Sequence, residues 1–381
     1  MVHAGGLSAP LLCKTFWMST FASMTPEDRD AARPSRAEEL GPGQGSRVRR
    51  AVSIKDVAHA AGVSPTTVSH VLTGNRPVGE VTAARVRRVV SAMGYVPGSL
   101  ARSLQAGSTS VIGLLVPDIS NGFFAELAKG VEDAAHERGY SVILCNTNFD
   151  GDREDHYLDL IRSRFIDAMV YAAGSAPTSK RLESLLGSFP IALVDENITG
   201  LGNALEVAAD HGAGGRLVGA HLTELGHRRA LLLTGPADLP SSRERVAGFL
   251  KTFAGDAIEL VGDFREASGR RLIEESLESG SRDFTAVFAG NDLMAFGAMM
   301  ALRNHGVGVP KDVSVVGFDD IPVAALSCPA LTTVHQPAYD IGRTATTQLL
   351  QNVAVGEVPP ASRHLLPVEL RVRESTARAP H

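Results

Sequence analysis

Six side chains stand where chemistry with a small polar molecule is possible. Phe123, Phe124, Asp195, Arg245, Phe264 and Asp292 each follow, directly or after a short loop, an apolar run that reads as a buried strand. Arg245 offers a planar fork of donors, Asp195 and Asp292 accept from hydroxyls, and the phenylalanines supply apolar faces, a set that suits a small hydroxylated ligand. Four of them have an ordinary alternative. Phe124 and Phe264 also fit a hydrophobic core, Arg245 a surface ion pair, and Asp292 a helix N-terminus, where the dipole favours a carboxylate.

A second group lies between Ser53 and Val71, in SIKDVAHAAGVSPTTVSHV. Ser53 precedes the apolar series Ile54, Val57, Ala58 and Ala61, with Asp56 three residues on, a capping-box pattern that opens a helix. Gly62 ends it by entering the left-handed region without steric penalty, and Val63 plugs the corner. Ser64 and Pro65 restart the chain as N-cap and first helical residue, and Val68, Val71 and Leu72 give the second helix its inward face. This is a helix-turn-helix. Its second helix turns Pro65, Thr66, Ser69 and His70 outward, toward base edges in a DNA major groove, and Thr67 toward the seam. Residues 47–106 carry nine basic side chains, among them Arg76 and Arg102, against two acidic ones, a net +7, while the remainder carries −12 to reach −5. A basic module on an acidic body is the footprint of a phosphate-binding head on a regulator.

Catalysis finds little support. The sequence has no HExxH, GxSxG or P-loop, the twelve histidines show no metal spacing, and the Gly-rich GPGQG at Gly41 lies outside any strand-to-helix turn. Asp319 and Asp320 in GFDDIP read as a structural turn with possible cleft contact. No catalytic residue, metal ligand or cofactor is assigned, and the chain is read as a non-enzyme.

With IKDVAHAAGVSPTTVSHVLTGNRPV, then GYVPGSLARSL, then VGFDDIP and ALTTVHQP in order and correctly separated, the chain resembles the lac repressor/galactose repressor family of bacterial transcription regulators from about residue 52 to residue 373. Operator contacts are expected at Ser53, Ser64, Pro65, Thr66, Thr67, Ser69 and His70, and the resemblance implies a base or phosphate contact from Arg76. It also implies a hinge at Gly98–Gln105 that folds only when paired with its dimer mate on DNA, since so short a helix does not hold alone in water. Leu104 then wedges into the minor groove, with Arg102 near phosphates or the groove floor. The family places effector contacts at Phe124, Arg245, Phe264 and Asp292. Two departures stand out: Gly79 replaces the usual N-cap serine of the third helix, and Ala172 stands where the lac repressor has a polar ligand contact.

The elements that must position these residues follow from periodicity. After the helix-turn-helix, Glu80 to Met93 reads as a third helix with Val81, Ala84, Val86, Val89 and Val90 among its apolar positions, closed by Gly94. From Val111 the pattern becomes alternating strands and helices, the mark of an α/β doubly wound architecture; the runs at Val111, Ser141, Ala168, Ile191, Ala230, Ala286 and Val313 read as buried parallel strands. The resemblance implies a two-lobed, periplasmic-binding-protein-like body crossed near residues 209, 336 and 361. The chain is thus multidomain, with an all-α helix-turn-helix headpiece and a hinge helix before the α/β body. The divisions are a disordered extension at 1–50, a DNA-binding head at 51–97, a hinge at 98–109, and a body at 110–373. The N-lobe takes 110–208 plus 336–360 and the C-lobe 209–335 plus 361–373, leaving a tail at 374–381.

Within residues 1–50 only His3 precedes the apolar segment and Lys14 interrupts it, so no secretory signal is read, and Met18 or Met24 is an alternative start. Cys13, Cys145 and Cys328 suit a reducing compartment, no run reaches the 18 or more apolar residues of a membrane span, and Cys145 reads as a buried strand residue. A cytoplasmic homodimer is expected, because one head reads only a half-site and the C-terminus lacks the leucine heptads of a tetramer. Its partners are double-stranded operator DNA and a small effector, expected to be a sugar, with no membrane.

Overall fold

The computed structural model describes residues 52–95, 108–162, 165–174, 189–196, 198, 204–280 and 283–380. Expectations for the N-terminal extension and for the hinge, with Arg102 and Leu104, lie outside these residues. The chain divides into a headpiece unit and a body unit, the boundary falling at Val96.

In the headpiece, α1 (Ile54–Ala61) opens with a complete capping box. The Ser53 amide donates to the Asp56 carboxylate at 2.8 Å and the Asp56 amide to Ser53 Oγ at 3.3 Å. Gly62 closes the helix at φ 63°, its amide bonding back to the last turn. Ser64 caps α2 (Pro65–Thr73) through the Thr67 amide at 3.1 Å. Helix α3 (Glu80–Met93) has no side-chain cap at Gly79, as the sequence implies. Val57, Ala58, Ala61, Val68 and Val86 are buried together. Val81 and Ala84 depart from expectation: Val81 is 85% exposed and Ala84 is on the same solvent side, because the inward stripe of α3 runs through Ala83, Val86 and Val90 at helical spacing.

The body holds two six-stranded sheets. The first is built from β1 (Val111–Val116), β2 (Ser141–Asn146), β3 (Ala168–Ala172), β4 (Ile191–Val194), β5 (Leu205–Ala209) and β11 (Ser362–Leu366), in the order β11-β5-β4-β3-β1-β2 and parallel throughout. The second contains β6 (Arg229–Thr234), β7 (Asp256–Val261), β8 (Ala286–Ala289), β9 (Ser314–Asp319), β10 (Thr332–His335) and β12 (Glu369–Arg371). Its order is β12-β10-β9-β8-β6-β7, with only β12 antiparallel. Central strands are continuous apolar runs covered on both faces, as parallel sheets require. Helices α4 (Gly122–His136), α5 (Gly151–Arg162) and α10 (Ala338–Val355) belong with the first sheet's lobe. Helices α6 (His211–Glu224), α7 (Pro240–Thr252), α8 (Glu266–Glu278) and α9 (Asp292–Asn304) belong with the second. The closest helix packing rests on glycines: a Cβ at Gly130 would lie 2.0 Å from the Tyr339 carbonyl oxygen and one at Gly215 2.1 Å from that of Arg245.

Two expected boundaries are corrected. The third crossing is not near 361: Ser362–Leu366 pairs in parallel with Leu205–Ala209, so this strand completes the N-lobe sheet and the chain crosses just before Glu369. The short connection from α10 reaches the nearest open edge, which is β5. Nor is 374–381 a tail. Ser375 is fully buried, its carbonyl accepts from the Val315 amide at 2.9 Å, its hydroxyl accepts from the Thr332 amide at 2.8 Å, and the Ala379 amide donates to the Leu225 carbonyl. The run SVILC is likewise an edge strand rather than a covered one: Cys145 is buried, but Ile143 and Leu144 are 42% and 45% exposed.

Candidate functional site

The carboxyl ends of strands in both sheets converge on one interlobe cleft, where ligands of open α/β sheets bind. From the N-lobe come Asn121, Phe123 and Phe124 beyond β1, Phe149 beyond β2, Ala173 beyond β3, and Asp195 and Glu196 beyond β4. From the C-lobe come Ser241 and Arg245 beyond β6, Phe264 and Arg265 beyond β7, Asn291 beyond β8 and Asp319 at the end of β9. The cleft encloses about 540 Å³, its open mouth included. Five of the six sequence-predicted cleft residues therefore meet there.

Asp292 does not. It is fully buried, accepting from the Ile321 amide at 2.8 Å and from Thr333 Oγ1 at 2.5 Å. Asn291, the N-cap of α9, takes the place on the cleft wall and ties its own amide to the Phe264 carbonyl at 2.8 Å. Burial, then the nearby Asp319 carboxylate, push the Asp292 carboxyl well above the ordinary range.

Arg245 is 4% exposed and sits one turn into α7. Its guanidinium lies 4.0 Å from the centroid of Phe318 and 5.7 Å from that of Phe264. Nη1 donates to the Gly290 carbonyl at 2.5 Å; Nε and Nη2 approach His211 Nδ1 at 3.4 and 3.3 Å. Arginine has no acceptor, so Nδ1 of His211 carries the lone pair, and its Nε2–H donates to the Asp195 carbonyl at 3.1 Å. Burial, reinforced by the Arg245 charge, lowers the His211 pKa to about 3 and keeps the ring neutral.

Three carboxyls face this one guanidinium. Burial raises Asp195, with Arg245 opposing. Burial followed by the Asp195 charge takes Glu196 up to about 8, and burial, opposed by Arg245, takes Asp319 to about 7. Acids that hold protons near neutrality both donate to and accept from hydroxyl groups. Asp195 Oδ1 is buried without a hydrogen-bond partner; His211 Nε2, 3.6 Å away, is the nearest cation-capable group. The backbone is strained around the same space: Phe149, Asp195, Phe264 and Asp319 all have positive φ, at 59°, 66°, 64° and 114°. Such strain in non-glycine residues gathers at ligand clamps. Glu196, His211, Ser241 and Phe318 were not singled out in the sequence; only the adjacency of Glu196 to Asp195 hinted at one of them.

On the headpiece, Pro65, Thr66 and Arg76 are exposed, Ser69 and His70 half-buried. The Ser53 hydroxyl is engaged with the Asp56 carboxylate at 2.6 Å, and Thr67 is half-buried with its hydroxyl 2.9 Å from Ser64 Oγ.

Comparison with known proteins agrees with this architecture. Residues 53–98 match the model for bacterial regulatory proteins of the lacI family, and residues 220–376 match a periplasmic binding protein-like domain. The HTH-type transcriptional repressor PurR of Aliivibrio fischeri is 36% identical, covering 79% of this chain and 91% of that protein. The ribose operon repressor of Escherichia coli is 34% identical over 83% and 97%. Among solved structures, the lac repressor dimer bound to operator and the anti-inducer ONPF aligns with TM-score 0.73 and 28% identity, covering 86% of this chain and all of that one. A regulator from Enterococcus faecium with bound ribose aligns with TM-score 0.62 and 30% identity over 70% and 99%. With a headpiece and a body that both match, the chain belongs to the lacI family of bacterial regulatory proteins, as a DNA-binding transcriptional regulator and not an enzyme.

Proposed function

We propose that the chain is a cytoplasmic repressor that binds a pseudo-palindromic operator as a homodimer, and that a small hydroxylated molecule, a sugar, alters operator affinity from the interlobe cleft. One observation carries the effector half: the buried, unpartnered Asp195 Oδ1, in a cleft also lined by Arg245, Phe124 and Phe264, asks for a hydroxyl donor. Ribose-bound structures of similar proteins and the ribose operon repressors support the same choice. A sugar stacks an apolar face on phenylalanine while its hydroxyls meet carboxyls and guanidinium.

For DNA, Ser64, Pro65, Thr66, Ser69 and His70 would face base edges, with Ser53 and Thr67 at the backbone side and Arg76 and Arg102 on phosphates or groove floor. Leu104 from each hinge would wedge into the minor groove. Two heads are needed because one reads a half-site. The far edge strands of both sheets support self-association, since β2 exposes Ile143 and Leu144 and β7 exposes Ile258 and Val261. Uncovered apolar edges of this kind invite a partner strand or face.

The test is thermal denaturation of the chain against sugars, sugar phosphates and purines. A ligand at 100 times its Kd adds about 2.7 kcal/mol, which raises Tm by roughly 5–11 °C. A shift by sugars alone supports the reading; a shift by purines alone replaces the effector class.

A further inference from the structure

Glu196 leaves β4 through a tight reversal. The Glu196 amide bonds to the Val194 carbonyl at 2.8 Å across Asp195, whose φ is 66°. That is a γ-turn of the strained hand. It sends two neighbouring carboxyls to different places: Asp195 into the cleft, and Glu196 across to the other lobe.

There Glu196 meets the start of α7. One oxygen accepts from the Ser241 amide at 3.0 Å, the other is hydrogen-bonded to the Ser241 hydroxyl, and both residues are buried. The N-cap of α7 is Leu239, which has no side chain to satisfy the helix's free amides. A helix that opens without its own cap leaves donors to be met from outside. The N-lobe supplies the missing cap. One turn later the same helix carries Arg245, so the latch and the cleft are built on the same two elements, β4 and α7.

We propose that Glu196 is the closure latch of the body, a positioning residue that caps α7 from the opposite lobe and thereby sets how readily the cleft closes on its effector. The link to effector affinity rests on the functional reading above; the latch itself does not. When the lobes part, Glu196 enters water and the α7 amide loses its cap. A ligand that bridges Asp195 and Arg245 draws together the pair of elements that the latch joins.

Proton linkage supports the same picture. Glu196 feels the charges of Asp195 and Arg245, and Asp195, His211, Glu206, Glu244 and Arg363 line the space behind it. Buried among them, its carboxyl is pushed up to about 8, whereas in the open form it returns toward the ordinary carboxylate range. Closure therefore takes up a proton between those limits, and the closed population falls as pH rises through about 8.

The experiment places spin labels on Asp152→Cys and Ala267→Cys, exposed positions of α5 and α8, in a chain carrying Cys13→Ser and Cys328→Ser. The labelled chain is diluted into unlabelled chain, and distances are measured without ligand. The wild-type latch gives mainly the short distance. E196A moves the majority to a longer one, E196Q retains the short one because its amide still satisfies both Ser241 groups, and S241A, losing only the hydroxyl arm, falls between. Raising pH from 6 to 9 lengthens the distance in wild type and lengthens it less in E196Q, where Asp195 and Asp319 remain to titrate. If E196A and S241A both keep the wild-type distribution, the latch is refuted. D-ribose forms the second arm: where it raises the wild-type Tm, E196A weakens its Kd at least tenfold and E196Q stays within twofold. If ribose and its relatives fail to bind, the functional reading fails while the distances still judge the latch.

Discussion

Arg245→Met isolates what the guanidinium does in the cleft. Methionine keeps much of the aliphatic volume beside Phe318 and removes the cation whose charge opposes the raised pKa of Asp195, Glu196 and Asp319 alike. Taking away one partner of a buried charge cluster costs about 3–5 kcal/mol. At 2–4 °C per kcal/mol for a body of this size, Tm should fall by roughly 6–20 °C near neutral pH. The loss should depend on pH in a definite direction. Arg245 holds all three carboxyls below where burial alone would put them, so its removal raises them further. A carboxyl raised in the folded state binds protons that the unfolded chain has released, and its stabilising contribution is lost as pH rises from the ordinary carboxylate range through its folded pKa, about 7 for Asp319. The penalty should therefore be small near pH 5 and largest near pH 8. Calorimetric melts of both chains at pH 5, 6.5 and 8 measure it. Equal penalties at all three, or a change under 2 °C at pH 8, would refute the reasoning.

Four further outcomes are expected. Ser53→Ala removes the capping box of α1 and should cost about 1 kcal/mol, read as roughly fivefold faster amide exchange at Asp56 and Val57. Gly235→Ala sets a Cβ 2.1 Å from the Phe264 ring, which must leave its place; a tenfold or greater loss of effector affinity with operator binding retained is the result to look for. Truncation after Arg373 strips the bonds of Ser375, Ala377 and Ala379 from the C-lobe, and the melt should register a loss of about 3 kcal/mol or more. Leu104→Ala should weaken specific operator binding by a few kcal/mol at most and leave nonspecific binding mostly intact, since the wedge acts on unstacked bases rather than phosphates; equal loss on both DNAs would remove the wedge role.

Local signals carried the parts of this molecule that local physics determines. The capping box at Ser53, the reversal at Gly62 and the Ser64-Pro65 restart are each decided within four residues, and α9 begins and ends where its periodicity places it, at Asp292 and Asn304. Strand ends also pointed to the cleft. What the sequence does not encode locally is direction and neighbourhood. Asp292 stands at the right strand end, yet its carboxyl turns inward to Thr333 and Ile321, 41 and 29 residues away. Glu196 owes its role to a γ-turn and to Ser241 on the other lobe. Apolar runs such as SVILC look alike whether central or edge, because only the strand order decides which is covered. The C-terminal residues lack any helical or strand period and are fixed by hydrogen bonds to three distant elements.

The most direct test of the central claim is operator selection followed by titration. The full-length chain is used to enrich 24-base-pair duplexes from a random pool, and the enriched duplex is titrated with and without the effector found by thermal shift. The expected result is a pseudo-palindrome bound by two chains, with affinity changed at least tenfold by a cleft ligand, and with that change lost in Gly235→Ala. Enrichment of no symmetric sequence, or an operator affinity that no cleft ligand alters, would contradict it.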